Sequence, residues 1–364
     1  MAELLKILVE VRKAGATDLH ASPGEKAFLR RMGMLEIMPD HKVSEDDIKK
    51  FILATSTPKI REILGKHRQV NYAYEDPASG ERYRVAISFI RGKFALAIRL
   101  LQKQSPKMAE LGLPEPIRKV LAKQSGLIIV GSPSGQGKTT TIASLLEFIN
   151  SHYEKNIITI ENPVEIKFTD DRSSFVQRGI PLDVPNFFEG LNEAYRLDPD
   201  VVMTDSISYS DALDQALFLC EAGCMVIAAT EGGSCQQMLE RIIHGRTADE
   251  RDGLRGKLAT HLSMIISQRL VPKADEKGLV AVFDILVNTQ AVRALLKNNN
   301  LVMMKNLQEQ DQASGMQTFD RHLMAMVKGS VITPKTAVTY AEDETEMATR
   351  FTNERGDRSW ISKP

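Results

Sequence analysis

Lys138 and Thr139 close a run of residues suited to holding phosphate. It reads Gly126-Leu-Ile-Ile-Val-Gly-Ser-Pro-Ser-Gly-Gln-Gly-Lys-Thr-Thr140: an apolar strand, a glycine-rich loop, then the start of a helix. Gly135 and Gly137 let the backbone curl so that successive N–H groups point at phosphate oxygens. Lys138 supplies a point charge to the terminal phosphates, and the Thr139 hydroxyl suits Mg²⁺. The residues expected to line such a nucleotide site are Ser132, Ser134, Gly135, Gln136, Gly137, Lys138, Thr139 and Thr140. Ser132 stands where the pattern places its first glycine, with Gly131 just before it. Both are small enough for the turn. Asp205 follows the apolar stretch Val201–Met203, where P-loop proteins carry a carboxylate that reaches Mg²⁺ through water.

These groups need a sheet and helices to hold them. Ile142, Leu145, Leu146 and Ile149 recur at helical spacing directly after the loop. Continuous apolar runs at Leu127–Val130, Ile157–Ile160, Val201–Met203, Met225–Ala229 and Val280–Val287 alternate with helical stretches. They predict a mainly parallel sheet with helices on both faces and ligands at the carboxyl ends of its strands. Ahead of it, Leu4, Leu5, Ile7, Leu8 and Val11 predict a helix over 2–14. Alternating strands are expected at Leu29–Met38, Asn71–Glu75, Tyr83–Phe89 and Phe94–Leu100. The expected division is a small α+β domain at 1–102, a Pro-bearing linker at 103–114, an α/β domain at 115–341 and a charged, flexible tail at 342–364.

Composition narrows the function. Lys plus Arg (47) balances Asp plus Glu (47) in 364 residues, so no excess of positive charge calls for nucleic acid. No apolar run approaches the length of a membrane span, and Met-Ala-Glu-Leu-Leu-Lys lacks signal-peptide flanks, so a cytoplasmic protein is expected. Cys220, Cys224 and Cys235 lack paired C-x-x-C spacing and are expected as a buried, reduced cluster.

Five further motifs accompany the loop: Thr17-Asp-Leu-His20, Ile160-Glu-Asn-Pro-Val-Glu165, Arg196-Leu-Asp-Pro-Asp200, Ser267-Gln-Arg-Leu-Val-Pro272 and Gly315-Met-Gln-Thr-Phe-Asp320. In this order they resemble the PilT-type ATPases, hexameric retraction motors of type IV pili within the secretion ATPase superfamily. Extension and secretion motors of that superfamily usually carry a larger N-terminal region and paired C-x-x-C zinc ligands, which this sequence lacks. The resemblance implies a PAS-like α+β domain before a RecA-like P-loop domain, with ATP and Mg²⁺ as cofactors. It implies a homohexameric ring, or one shared with an intact paralogue, docked on the pilus inner-membrane platform protein at the inner face of the cytoplasmic membrane. Glu161 and Glu165 match the family's acidic box and are catalytic candidates. Arg84, Arg91 and Arg99 match arginines that reach nucleotide phosphates, a task their planar, permanently charged forks suit.

The departures from the family matter as much as the matches. Ser206 stands where the family carries the glutamate that polarises the attacking water, and serine accepts no proton near neutral pH. Ser208 and Tyr209 replace an Arg-Asp pair. Glu221-Ala-Gly-Cys224 and Thr230-Glu231-Gly232-Gly233 replace elements that each hold a histidine. Two readings follow: an ATP-binding relative with impaired hydrolysis that regulates or completes a ring, or a working motor whose base has moved to Glu231, Glu161 or Glu165.

Overall fold

The computed structural model describes residues 3–355 apart from Met32 and Tyr209. The chain forms two compact units. One comprises Met1–Ser105, Ile160–Phe168 and Gln177–Asn186; the other comprises Pro106–Thr159, Thr169–Val176 and Phe187–Pro364. The acidic motif therefore groups with the N-terminal unit, where a single cut at the linker assigns it to the P-loop domain.

The first unit is built on a six-stranded sheet of order β3-β2-β1-β6-β5-β4. Its strands are β1 (Asp18–Ala21), β2 (Lys26–Arg31), β3 (Met34–Lys42), β4 (Gln69–Glu75), β5 (Arg82–Ile90) and β6 (Lys93–Leu100). All its pairings are antiparallel. Alternation decides which face packs: Tyr83, Val85 and Ile87 of β5 and Leu96 and Ile98 of β6 are buried, joining Leu4, Leu8 and Phe51 of the covering helices in one core. The expected strand Leu29–Met38 is two strands, because the chain reverses at Gly33 (φ +83°). The helix Glu45–Thr55 opens with a capping box in which Ser44 and Asp47 satisfy each other's backbone N–H groups.

The second sheet has order β13-β12-β7-β11-β10-β8-β9. Its strands are β7 (Gly126–Gly131), β8 (Asn156–Glu161), β9 (Ser174–Gly179), β10 (Val201–Thr204), β11 (Met225–Thr230), β12 (Leu262–Pro272) and β13 (Leu279–Val287). The neighbours β12, β7, β11 and β10 run parallel, and β13 closes the edge antiparallel to β12. Every residue of β7, β10 and β11 is buried. Sheets covered on both faces select such unbroken apolar runs.

The expected tail departs from the sequence reading. Glu344–Arg355 is a helix, and its Met347 and Phe351 are buried with Val271, Phe319 and Leu323. Residues 356–364 of that tail lie outside the described residues.

Candidate functional site

The phosphate loop is built as its spacing predicts. β7 ends at Gly131, the loop follows, and the helix Lys138–His152 buries Ile142, Leu145, Leu146 and Ile149. Gly135 (φ +77°) and Gly137 (φ +86°) occupy the left-handed region that side chains disfavour. Lys138 Nζ donates to the Ser132 carbonyl at 2.8 Å, so the loop closes on its own lysine. Burial pushes this ammonium below its ordinary range; Glu231 raises it, Arg241 lowers it and Asp205 raises it. Loop ends from three strands thus share the space around one amine. The cradle is tight behind: a Cβ at Gly131 would collide with Met238 Sδ, and one at Gly232 with Met238 Cγ.

Asp205 follows β10, as the sequence leads one to expect, and Ser206 comes next. The Ser206 hydroxyl accepts a bond from Ser208 N–H at 3.2 Å, which makes it part of a turn. Tyr209 lies outside the described residues. Arg241, which sequence reasoning missed, donates to Thr230 Oγ1 at 3.2 Å. The clue was available: it sits on the helix Cys235–His244 that follows the Thr230–Gly233 element. Among the described residues no group of three or more His, Cys, Asp or Glu side chains is placed to hold a metal. Mg²⁺ delivered with phosphates needs only one or two protein oxygens, and Thr139 and Asp205 are of that kind.

All three thiols are free and buried. Cys224 Sγ donates to the Pro199 carbonyl at 3.3 Å, whereas Cys235 Sγ faces the Asp284 carbonyl at 3.2 Å.

In the first unit the arginines fall into two groups. The β5–β6 register sets Arg84 opposite Arg99, and the β1–β6 register sets Asp18 opposite Arg99. Two like charges facing each other across a sheet need partners. Arg84 takes Glu165 at 3.0 Å and Arg99 takes Asp18 at 2.8 Å. Arg91 stands apart, in the hairpin turn (φ +48°), roughly 20 Å along the strand from Arg84. Buried Arg82 braces the acidic motif's backbone, donating to the carbonyls of Val164 at 2.8 Å and Glu165 at 3.1 Å. Glu161 is buried and accepts from Gln177 Nε2 at 3.0 Å.

Residues 3–300 match the type II/IV secretion system protein family. The chain belongs to this family. Among its relatives in the family are the type IV pilus ATPase PilU of Pseudomonas aeruginosa, 28% identical over 95% of this chain and 89% of that one, and the type IV pilus retraction ATPase PilT of the same organism, 28% identical over 92% and 97%. A crystal structure of the pilus retraction motor PilT with bound ADP superposes with a TM-score of 0.82 at 30% identity, covering 95% of this chain and 99% of that one. The likeness is to PilT-type secretion ATPases, as the motif order implies, and the RecA-like P-loop fold with its separate N-terminal unit is theirs. No helix among the described residues is long and apolar enough to cross a membrane.

Proposed function

We propose that this chain is an ATP-binding, PilT-like subunit of a type IV pilus machine in which hydrolysis is impaired, serving as a regulatory or structural member of a six-membered ring. The residues present fit Mg²⁺-ATP: two left-handed glycines shape a concave loop, and a half-buried lysine closes it. Backbone N–H groups of the loop, Lys138 and Thr139 would hold the phosphates, with Thr139 and Asp205 directed at the metal. When bound, Mg²⁺ neutralises charge on the terminal phosphates. In the ring, Arg84 and Arg99 would serve the phosphates of a neighbouring subunit, at the cytoplasmic face of the pilus platform.

One observation carries the reading of impaired hydrolysis. Asp205 acts on Lys138, yet the next position holds a serine whose hydroxyl caps a turn. A serine there cannot take the proton of an attacking water, and loss of a general base costs about 10²–10⁴ in rate. The alternative, an active retraction motor, is favoured by Glu231, whose carboxylate also acts on Lys138.

Steady-state phosphate release by purified protein separates the two, with Lys138→Ala as the blank. The expected result is turnover near that blank, raised up to about 10²-fold by Ser206→Glu. Wild-type turnover far above the blank and abolished by Glu231→Gln would establish the motor instead.

A further inference from the structure

Strand β12 outruns its parallel neighbour. Its register with β7 ends where Ser267 meets Gly131, yet β12 continues to Pro272. Gln268, Arg269 and Leu270 therefore run alongside the phosphate loop. Two hydrogen bonds lace loop to strand. Leu270 N–H donates to Gln136 Oε1 at 2.7 Å, and Gln268 Nε2 donates to the backbone carbonyl of Gln136. Gln268 is 1% exposed, and its Oε1 is buried without a hydrogen-bond partner among the described residues. An orphaned amide oxygen is costly, and an apolar side chain of similar size would avoid it. Glutamine at this position makes physical sense if its N–H group has a task.

We propose that Gln268 is a positioning residue for the phosphate loop, fixing the Gln136–Gly137 peptide so that the Gly137 N–H points at the phosphates of a bound nucleotide. The reason lies in the peptide unit. It is planar and trans, so its C=O and N–H point in opposite directions. A carbonyl held toward β12 sends the following N–H to the other side, into the loop's concavity. Gly137 completes the fit: a Cβ there would come within 2.9 Å of Gln268 Nε2. Gln136 adds a second anchor through its own side chain, so both contacts restrain one residue. The effect is preorganisation: the loop need not give up conformational freedom when phosphate arrives.

The inference rests on the phosphate loop being the nucleotide site, and the test keeps the two apart. Dissociation constants for Mg²⁺-ATP and Mg²⁺-ADP are measured by titration calorimetry on wild type, Lys138→Ala, Gln268→Met and Gln136→Met. Thermal unfolding without nucleotide is recorded for each. Methionine keeps the volume of glutamine and removes its hydrogen bonds. Gln268→Met is expected to weaken both nucleotides about 3- to 10-fold while leaving the nucleotide-free unfolding temperature nearly unchanged, a separation that a merely structural residue would not give. Gln136→Met is expected to weaken binding less, and the double variant to lose less than the two singles combined. Unaltered affinity in Gln268→Met, beside a Lys138→Ala that has lost it, overturns the role of Gln268 and leaves the nucleotide site standing. No binding by the wild type overturns both. Should Gln268→Met fail to fold, Gln136→Met decides: weaker binding supports the lacing, unchanged binding refutes it.

Discussion

On the exposed face of the N-terminal sheet Arg84 and Arg99 each hold a carboxylate, whereas Lys138 in the second unit rests on the carbonyl of Ser132. The arginines are 34% and 41% exposed, so water and salt share in stabilising them. Lys138 is half-buried, and the Ser132 carbonyl, with the Glu231 and Asp205 carboxylates acting on it as well, answers only part of its charge. The two regions are thus prepared differently for an anion. A phosphate at Lys138 would add to an incomplete arrangement; one at the arginines would have to displace a partner already in place. The second unit also carries other dry titratable groups, whereas Arg84 and Arg99 of the first stay partly in contact with solvent.

The largest test of that contrast is pH. His322 accepts from Phe283 N–H at 2.9 Å, and burial pushes it down to about 4. Its neutral form suits the fold. Its contribution is complete above the unfolded value of about 6.5 and is lost as pH falls toward 4, a change of roughly 3 kcal/mol. Asp284 runs the other way. Burial pushes it up to about 6 despite bonds from Cys235 N–H and Gln308, and Glu342 adds to the rise. Its contribution is complete below the unfolded value of about 3.9 and is lost as pH rises through 6, again by roughly 3 kcal/mol. Asp284 on β13 and His322, on the helix Phe319–Lys328 and bonded to the neighbouring Phe283, therefore offset one another. Urea titrations between pH 4 and 6.5 are expected to give a gentle slope for wild type, stability that falls with acid for Asp284→Asn, and stability that rises with acid for His322→Gln. Parallel curves for all three would break the contrast.

Next in size is Lys138→Ala. Removing the one cation of the loop is expected to weaken ATP about 10- to 100-fold. Equal affinity for a fluorescent ATP analogue in both proteins would remove the loop from consideration. The smallest effects belong to the part-buried pairs Arg84–Glu165 and Arg99–Asp18. Glu165→Gln and Asp18→Asn are expected to cost about 1 kcal/mol or less in stability and, if the proposed ring forms, to tighten its ATP binding about 2- to 5-fold, most at low salt, because each frees an arginine. Weaker binding in both variants would mean that the carboxylates orient the arginines rather than occupy them.

What the sequence discloses follows the range of each interaction. The phosphate loop and the apolar strands are legible because their signals are local: glycine spacing, a lysine at a helix start, unbroken runs. The place of β12 is not, since Ser267–Pro272 reads as a motif while its neighbour β7 lies far back in the chain. The arginines show the same limit. Arg84, Arg91 and Arg99 look alike in the sequence, and only the hairpin register separates the turn residue from the facing pair. The helix Glu344–Arg355 is hidden for a third reason. Met347 and Phe351 are few among charges, and only the cluster around Phe319 gives them a core to join. Likewise the acidic motif's tie to Arg82 spans the linker, where no local pattern can announce it.

Met238 touches two loops at once, filling the space a side chain would need at Gly131 or Gly232. Those three positions share a single volume and are not free to drift one at a time. A descendant sequence could gain alanine at 131 only after residue 238 had shrunk, and the shrinkage would first leave a hole beside the glycine-rich loop. Lineages are expected to cross that gap with paired changes or not at all, so a survey of natural variants should find large residues at 238 only where both glycines persist.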